Sequence, residues 1–383
     1  MPYWRLSLFY GFYFASLGAF LPYWPLYLEH LGHDPQAIGL LMALLVGTKI
    51  IAPNVWAWIA DHSSRRMGVV RVGATAAALL FAGVFWGSSF AWLAAVILAF
   101  SFFWNAVLPQ FEVVTLNHLG EAPQRYTRIR LWGSVGFVTT VAGVGPLLDG
   151  WGTQLVPGVV FLLLLGIAFS AAWVPERVAA AGGGQAGALG EVLRRPEVVA
   201  LILVCFLLQA SHGPYYTFYS IYLDRHGYSH GAIGALWALG VVAEVGVFLV
   251  MHRLVPRFGL RWLMLVALGL SVLRWLLIGQ FVESLILLIV AQCLHAASFG
   301  LYHGVAIQLF HRFFRGRHQG RGQALYSSLS FGAGGAVGAL YSGYAWEALG
   351  PAWTFSGAAS LAGLALVVAW VGLRDASAAV EAP

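Results

Sequence analysis

Twelve stretches of this chain are each apolar for the roughly 20 residues that a helix needs to cross a bilayer. They lie near 5–29, 36–59, 68–88, 90–115, 127–149, 153–174, 197–222, 230–252, 260–280, 283–309, 322–345 and 351–373. Backbone groups inside lipid must be satisfied within their own segment, so these stretches predict α-helices and an all-α polytopic membrane protein. Composition agrees: 60 % of residues are hydrophobic and 9 % charged, against about 45–50 % and 25 % in soluble domains.

The chain also repeats itself. An offset of 195 residues lays YLEHLGHDPQAIGLL (Tyr27–Leu41) over YLDRHGYSHGAIGAL (Tyr222–Leu236) without a gap. The same offset carries Lys49, the one lysine of the chain, onto Glu244. Both sit within apolar spans, where a charge costs about 2.5–3.5 kcal/mol even on lenient insertion scales. Opposite charges at equivalent intramembrane positions of two related halves point to a transporter. The longest connection, Pro175–Glu197, falls at the midpoint and is rich in Gly and Ala, the composition of a flexible linker. It predicts a six-helix bundle over 1–174, a linker over 175–196 and a second six-helix bundle over 197–383.

The net charge of +6 is explained by its distribution. With both termini placed in the cytoplasm, eighteen of the 21 Arg and Lys fall on cytoplasmic segments or span ends, as the positive-inside rule requires. Arg225 falls outside, and Lys49 and Arg274 lie within spans. The basic excess is thus orientation and lipid-headgroup chemistry, and no nucleic-acid partner is expected. Cys205 and Cys293 both lie in apolar segments, which argues against a disulfide framework. One Arg precedes the first span and no small-residue cleavage signature follows it, so that span reads as a retained helix.

The loop after the second span reads WIADHSSRRMG. It resembles the short cytoplasmic signature of the major facilitator superfamily, with Asp61, Arg65 and Arg66 matching and Ala57 and Ser64 in place of the usual glycines. The resemblance implies a charge latch between helix ends, and RFGLR (Arg257–Arg261) repeats the basic pattern in the second half. Two parallel six-span halves are that superfamily's layout. Within it, YFASLGAFLPYWPLYLEHLG in the first span and TRIRLWGSVGF (Thr127–Phe137) resemble the lactose permease and phenylpropionate permease group. That resemblance implies substrate recognition by Arg130 and Glu112, a pairing suited to hydroxyls or a carboxylate. It also implies proton coupling through Glu244, Arg274 and His295. Two positions depart from the lactose permease pattern: Ser298 stands where a glutamate is expected, and Phe137 where a sugar-stacking tryptophan is expected.

Lys49 is a candidate for holding a substrate carboxylate or for an internal ion pair. Tyr23, Trp24, Trp104 and Phe137 are expected along the substrate path, and His303 and His212 are further candidates because imidazole titrates near neutral pH. GVGPLLDG (Gly143–Gly150) only faintly resembles a span-five glycine motif of drug–proton antiporters, and FGAGGAVGALYSG reads as small-residue helix packing. No phosphate-binding loop or metal-ligand spacing stands out, so neither enzyme chemistry nor a cofactor is expected beyond a proton gradient.

The expected function is proton-coupled symport of a small organic solute by alternating access, in a bacterial inner membrane and as a monomer. An aromatic carboxylate such as 3-phenylpropionate leads as substrate. A sugar or nucleoside symporter, a drug–proton antiporter and a ligand sensor that moves nothing remain the alternatives.

Overall fold

Glycine marks the same corner in both repeats. Gly32 and Gly227, one repeat offset apart, both hold positive φ, at 86° and 80°, a conformation that costs a residue without Cβ little. Two residues on, Asp34 and Ser229 cap the helices that follow: Asp34 accepts from Ala37 N at 2.7 Å, and Ser229 Oγ accepts from Ala232 N at 3.1 Å. The repeat is therefore one of backbone geometry as well as of letters.

The computed structural model describes residues 2–63, 65–120, 122, 125–177, 189–314 and 319–373. Ser64, most of the predicted linker, and the basic residues Arg315, Arg317 and Arg374 lie outside the described residues. The helices are α1 (Tyr3–His30), α2 (Pro35–Gly47), α3 (Ala52–Ser63), α4 (Arg66–Phe81), α5 (Phe90–Leu119), α6 (Tyr126–Trp151), α7 (Val156–Trp173) and α8 (Leu189–Leu193). There follow α9 (Pro196–Ser211), α10 (Gly213–Arg225), α11 (His230–Gln280), α12 (Leu285–Cys293), α13 (Tyr302–Phe313), α14 (Gln319–Leu325), α15 (Gly335–Leu349) and α16 (Pro351–Gly372). Ten helical runs among the described residues are long and apolar enough to cross a membrane. One of them, α11, is two helices merged across Gly259, whose φ of 74° breaks it inside the RFGLR loop. The fold is all-α and polytopic.

By compactness the chain divides into one unit of Met1–Ala181 with Tyr216–Ala238, and another of Gly182–Tyr215 with Leu239–Pro383. In the first unit α1 packs on α6 and α7, and α4 on α5 and α7. A Cβ at Gly18 would stand 2.7 Å from the Phe137 carbonyl oxygen, so α1 and α6 approach backbone to backbone. In the second unit α9 packs on α16 and on the helical segment before α15. There a Cβ at Gly334 would stand 2.7 Å from the Phe206 carbonyl oxygen. The small-residue run of span eleven is thus a packing surface, as close-packed membrane helices require.

Several predicted spans, two and ten among them, are not plain α-helices. Span two was expected as one helix over 36–59, but a 3₁₀ turn, Thr48–Ile50, separates α2 from α3. Pro53 supplies the cause: it has no N–H, and its ring crowds the carbonyl four residues back, which belongs to Lys49. Span ten carries a π-helical turn, Ala296–Leu301, directly after His295. Such turns are rare and concentrate at functional sites.

Candidate functional site

The first unit holds Lys49 at the broken turn. Its neighbour Thr48 fixes that turn to α5, with the Thr48 hydroxyl 3.1 Å from Ser101 Oγ. Asn105 Nδ2 donates to the Thr48 hydroxyl and to the Leu45 carbonyl, both at 2.8 Å. These contacts satisfy groups that the break takes out of the helical ladder. Lys49 itself is half-buried and makes no hydrogen bond or ion pair among the described residues. An ammonium kept without a counter-charge inside a membrane span is expensive, so an anion supplied from elsewhere is its natural complement.

An aromatic wall runs along α1 and α5. Phe9 stacks on Phe111 at 3.5 Å, Tyr13 on Trp104 at 5.5 Å, and Phe20 on Trp24 at 4.8 Å. The indole N–H groups of Trp24 and Trp104 are buried and have no hydrogen-bond partner among the described residues. Tyr23, expected to face substrate, instead donates its hydroxyl to the Val141 carbonyl at 2.6 Å. Phe137 is buried at the α1–α6 crossing, where its backbone meets Gly18.

Glu112 and Arg130 occupy the same unit but make no direct ion pair among the described residues. Glu112 accepts from the Tyr126 hydroxyl at 3.1 Å. The Arg130 guanidinium lies over the Phe14 ring at 3.6 Å, with Tyr10 at 5.9 Å. Gly133, one turn on from Arg130, makes room for it: a Cβ there would come within 2.6 Å of Arg130 Nη1. A guanidinium held on aromatic faces keeps its hydrogen-bond donors for a ligand.

Of the three residues expected to form a latch, Asp61 and Arg66 form an ion pair, and Arg66 also donates to Gln110. Arg65 is exposed. The Met67 N–H at the start of α4 is capped by the Glu176 carboxylate at 3.0 Å, which fastens the segment after α7 beneath the same helix end.

In the second unit Arg274 is fully buried. Its guanidinium donates to the Ala291 carbonyl at 3.1 Å and to Ser298 Oγ at 2.9 Å. The rings of Tyr215 and Trp275 lie 4.2 and 4.6 Å away, and the Tyr215 hydroxyl donates to Gln292 Oε1 at 2.9 Å. The serine that stands where the lactose permease pattern has a glutamate is therefore a partner of the arginine. Glu244 Oε2 lies 3.5 Å from His295 Nε2. Gly300 lets α11 come close there, since a Cβ would stand 3.0 Å from the Glu244 side chain.

His295, Phe299 and His303 stack in turn at 5.4 and 5.7 Å, and His303 Nδ1 lies 2.8 Å from the Tyr326 hydroxyl. Of the other histidine candidates, His212 holds the Leu208 carbonyl through Nδ1 at 2.8 Å. The proton-coupling candidates Glu244, Arg274 and His295 thus fall in one unit, while Lys49, Glu112 and Arg130 fall in the other. Sequence reading missed Tyr215, Gln292 and Tyr326. It also missed the Thr48–Ser101–Asn105 patch, although Pro53 four residues after Lys49 and a Ser–Asn pair four apart on an apolar span were signals for it.

The sequence model of the MFS_1 like family matches residues 3–357. The "Probable 3-phenylpropionic acid transporter" of Escherichia coli (strain K12) is 34 % identical over 355 residues, covering 90 % of this chain and 91 % of that one. The "Maltose permease" of Geobacillus stearothermophilus is 27 % identical, covering 98 % and 95 %. Among solved structures, the nucleoside transporter NupG superposes with a TM-score of 0.82 at 16 % identity, covering 97 % of this chain and 98 % of that one. At that identity the likeness speaks for the fold alone.

Proposed function

The chain belongs to the MFS_1 like family of major facilitator transporters, and from that premise we propose that it moves a small aromatic carboxylate across the membrane together with a proton. The observation that carries this reading is Lys49. It is an intramembrane cation without a partner among the described residues, fixed on a broken turn of a span, and broken helices are where transporters of this kind place their sites. A carboxylate meeting it in a low-dielectric site gains far more than it would in water. The wall of Tyr13, Phe20, Trp24 and Trp104 suits the attached ring. The 34 % identical relative carries 3-phenylpropionic acid in its name, which supports the same class.

The proton belongs to Glu244 and His295, whose 3.5 Å separation is short enough for a proton to pass once the side chains close up. Arg274, hydrogen-bonded to Ser298, supplies a fixed positive charge in the same unit. Alternating access in a bacterial inner membrane, with both termini on the cytoplasmic side, completes the reading.

A neutral sugar is the second reading, favoured by the maltose permease relative that aligns with nearly the whole chain. In that case Glu112 and Arg130 take over recognition. Counterflow in proteoliposomes decides between the two, with 3-phenylpropionate, maltose and a nucleoside as competing solutes. Exchange of the acid alone supports the aromatic carboxylate; exchange of maltose with no response to the acid overturns it.

A further inference from the structure

Where α1, α6 and α10 finish and α11 begins, the first unit carries a cluster of charges that the transport reading does not use. Asp149, in the last turn of α6, accepts from the His230 backbone N–H at 2.7 Å through Oδ1 and from the Gly231 N–H at 3.0 Å through Oδ2. It therefore caps the start of α11, a position where a carboxylate also meets the positive end of the helix dipole. The His230 ring lies between two carboxylates, with Nδ1 3.1 Å from Asp149 and Nε2 3.4 Å from Asp224. One residue beyond Asp224, Arg225 pairs with Glu29 at the end of α1, at 2.6 Å. The helices are close enough for this because of small residues: a Cβ at Gly145 would stand 2.9 Å from Gly231 Cα.

Asp149 from α6 and Asp224 from α10 contact the His230 ring, and the other titratable groups of this junction are the Arg225–Glu29 pair of α10 and α1 and the Tyr23 hydroxyl, held by the Val141 carbonyl. A neutral imidazole has a single N–H, so it serves one of the two carboxylates and turns a lone pair toward the other. The imidazolium donates to both, through stronger charge-assisted bonds. One proton thus decides whether the ring bridges α6 and α10 or repels one of them.

We propose that Asp149, His230 and Asp224 form a proton-sensitive clamp that holds the start of α11 and the end of α10 against α1 and α6, and that its release is a step of the transport cycle. Its three members come from both sequence repeats: Asp149 from the first, Asp224 and His230 from the second. A clamp joining the repeats at one membrane face has to part whenever that face opens. The clamp is separate from Glu244 and His295, which lie in the other compact unit. It therefore responds to the pH bathing one face, independent of the transported proton.

Spin labels on cysteines placed at the exposed positions Ser88 and His226, both in the first unit, test this in full-length protein in nanodiscs, with Cys205 and Cys293 replaced by Ala and Ser. Distances are measured by pulsed electron resonance at about pH 5 and about pH 8. The proposal expects the long-distance population to grow about twofold or more at the higher pH. In His230→Gln the distribution should be the same at both pH values. In Asp149→Asn, or in Asp224→Asn if the first variant does not fold, the long population should be high at both. Distances that ignore pH in the protein with His230 intact, or a pH response that survives His230→Gln, overturn the proposal.

Discussion

Lys49 and Glu244 stand at the same place in the two repeats, yet their surroundings have little in common. Lys49 lies on a helix broken by Pro53, beside a hydroxyl and amide patch, with no counter-charge among the described residues. Glu244 lies within an unbroken stretch of α11, beside His295 and a glycine that lets its neighbour approach. The two equivalent intramembrane positions thus carry different chemistry. On the reading proposed above, one waits for an outside ion and the other exchanges with inside partners. A charge that already has partners is suited to moving protons, and a charge without one is suited to binding cargo.

The strongest way to break this contrast is at Glu244. Glu244→Gln should abolish accumulation driven by a proton gradient, about a hundredfold or more, while exchange between equal solute pools continues. Loss of both would make Glu244 a structural residue. Next, Lys49→Ala should weaken aromatic acids by about ten- to a hundredfold, or about 1.4–3 kcal/mol, yet leave the corresponding alcohols nearly unchanged. Competition binding in detergent measures both, and an equal effect on acid and alcohol removes the carboxylate role.

Ser298→Ala sharpens the second site. It leaves an Arg274 N–H in the buried cluster without its 2.9 Å acceptor, at a cost of about 1–3 kcal/mol, read as a lower thermal midpoint. A smaller change is expected for Pro53→Ala. Restoring the N–H that the turn lacks should raise thermal stability slightly and shift Lys49, so that acid affinity falls several-fold while the protein becomes more stable. Stability and affinity falling together would mean that the turn serves folding alone.

Much of this contrast was readable in the sequence. Hydropathy locates the spans because lipid leaves the backbone no choice but helix, and the 195-residue offset pairs Lys49 with Glu244. Gly32 and Gly227, with their positive φ, explain why the matched segment keeps glycine at those positions. What could not be read is which polar atoms meet across helices. Ser298 is a substitution in sequence and an arginine partner in space. Tyr23 was expected along the substrate path, whereas its hydroxyl is committed to the backbone of α6. Such contacts depend on helix rotation and crossing, which apolar periodicity fixes poorly in spans that are hydrophobic all round. Glu112 and Arg130 show the same limit, because the family pattern joins them while the Arg130 side chain rests on Phe14.

The most direct test of the division of labour is proton movement on adding 3-phenylpropionate to de-energised proteoliposomes in weak buffer, corrected against empty liposomes for passive entry of the acid. The account predicts alkalinisation outside with the unaltered protein, none with Lys49→Ala because the acid no longer binds, and acid exchange without proton movement with Glu244→Gln. Proton uptake that persists in Glu244→Gln, or acid transport unaffected by Lys49→Ala, would contradict it.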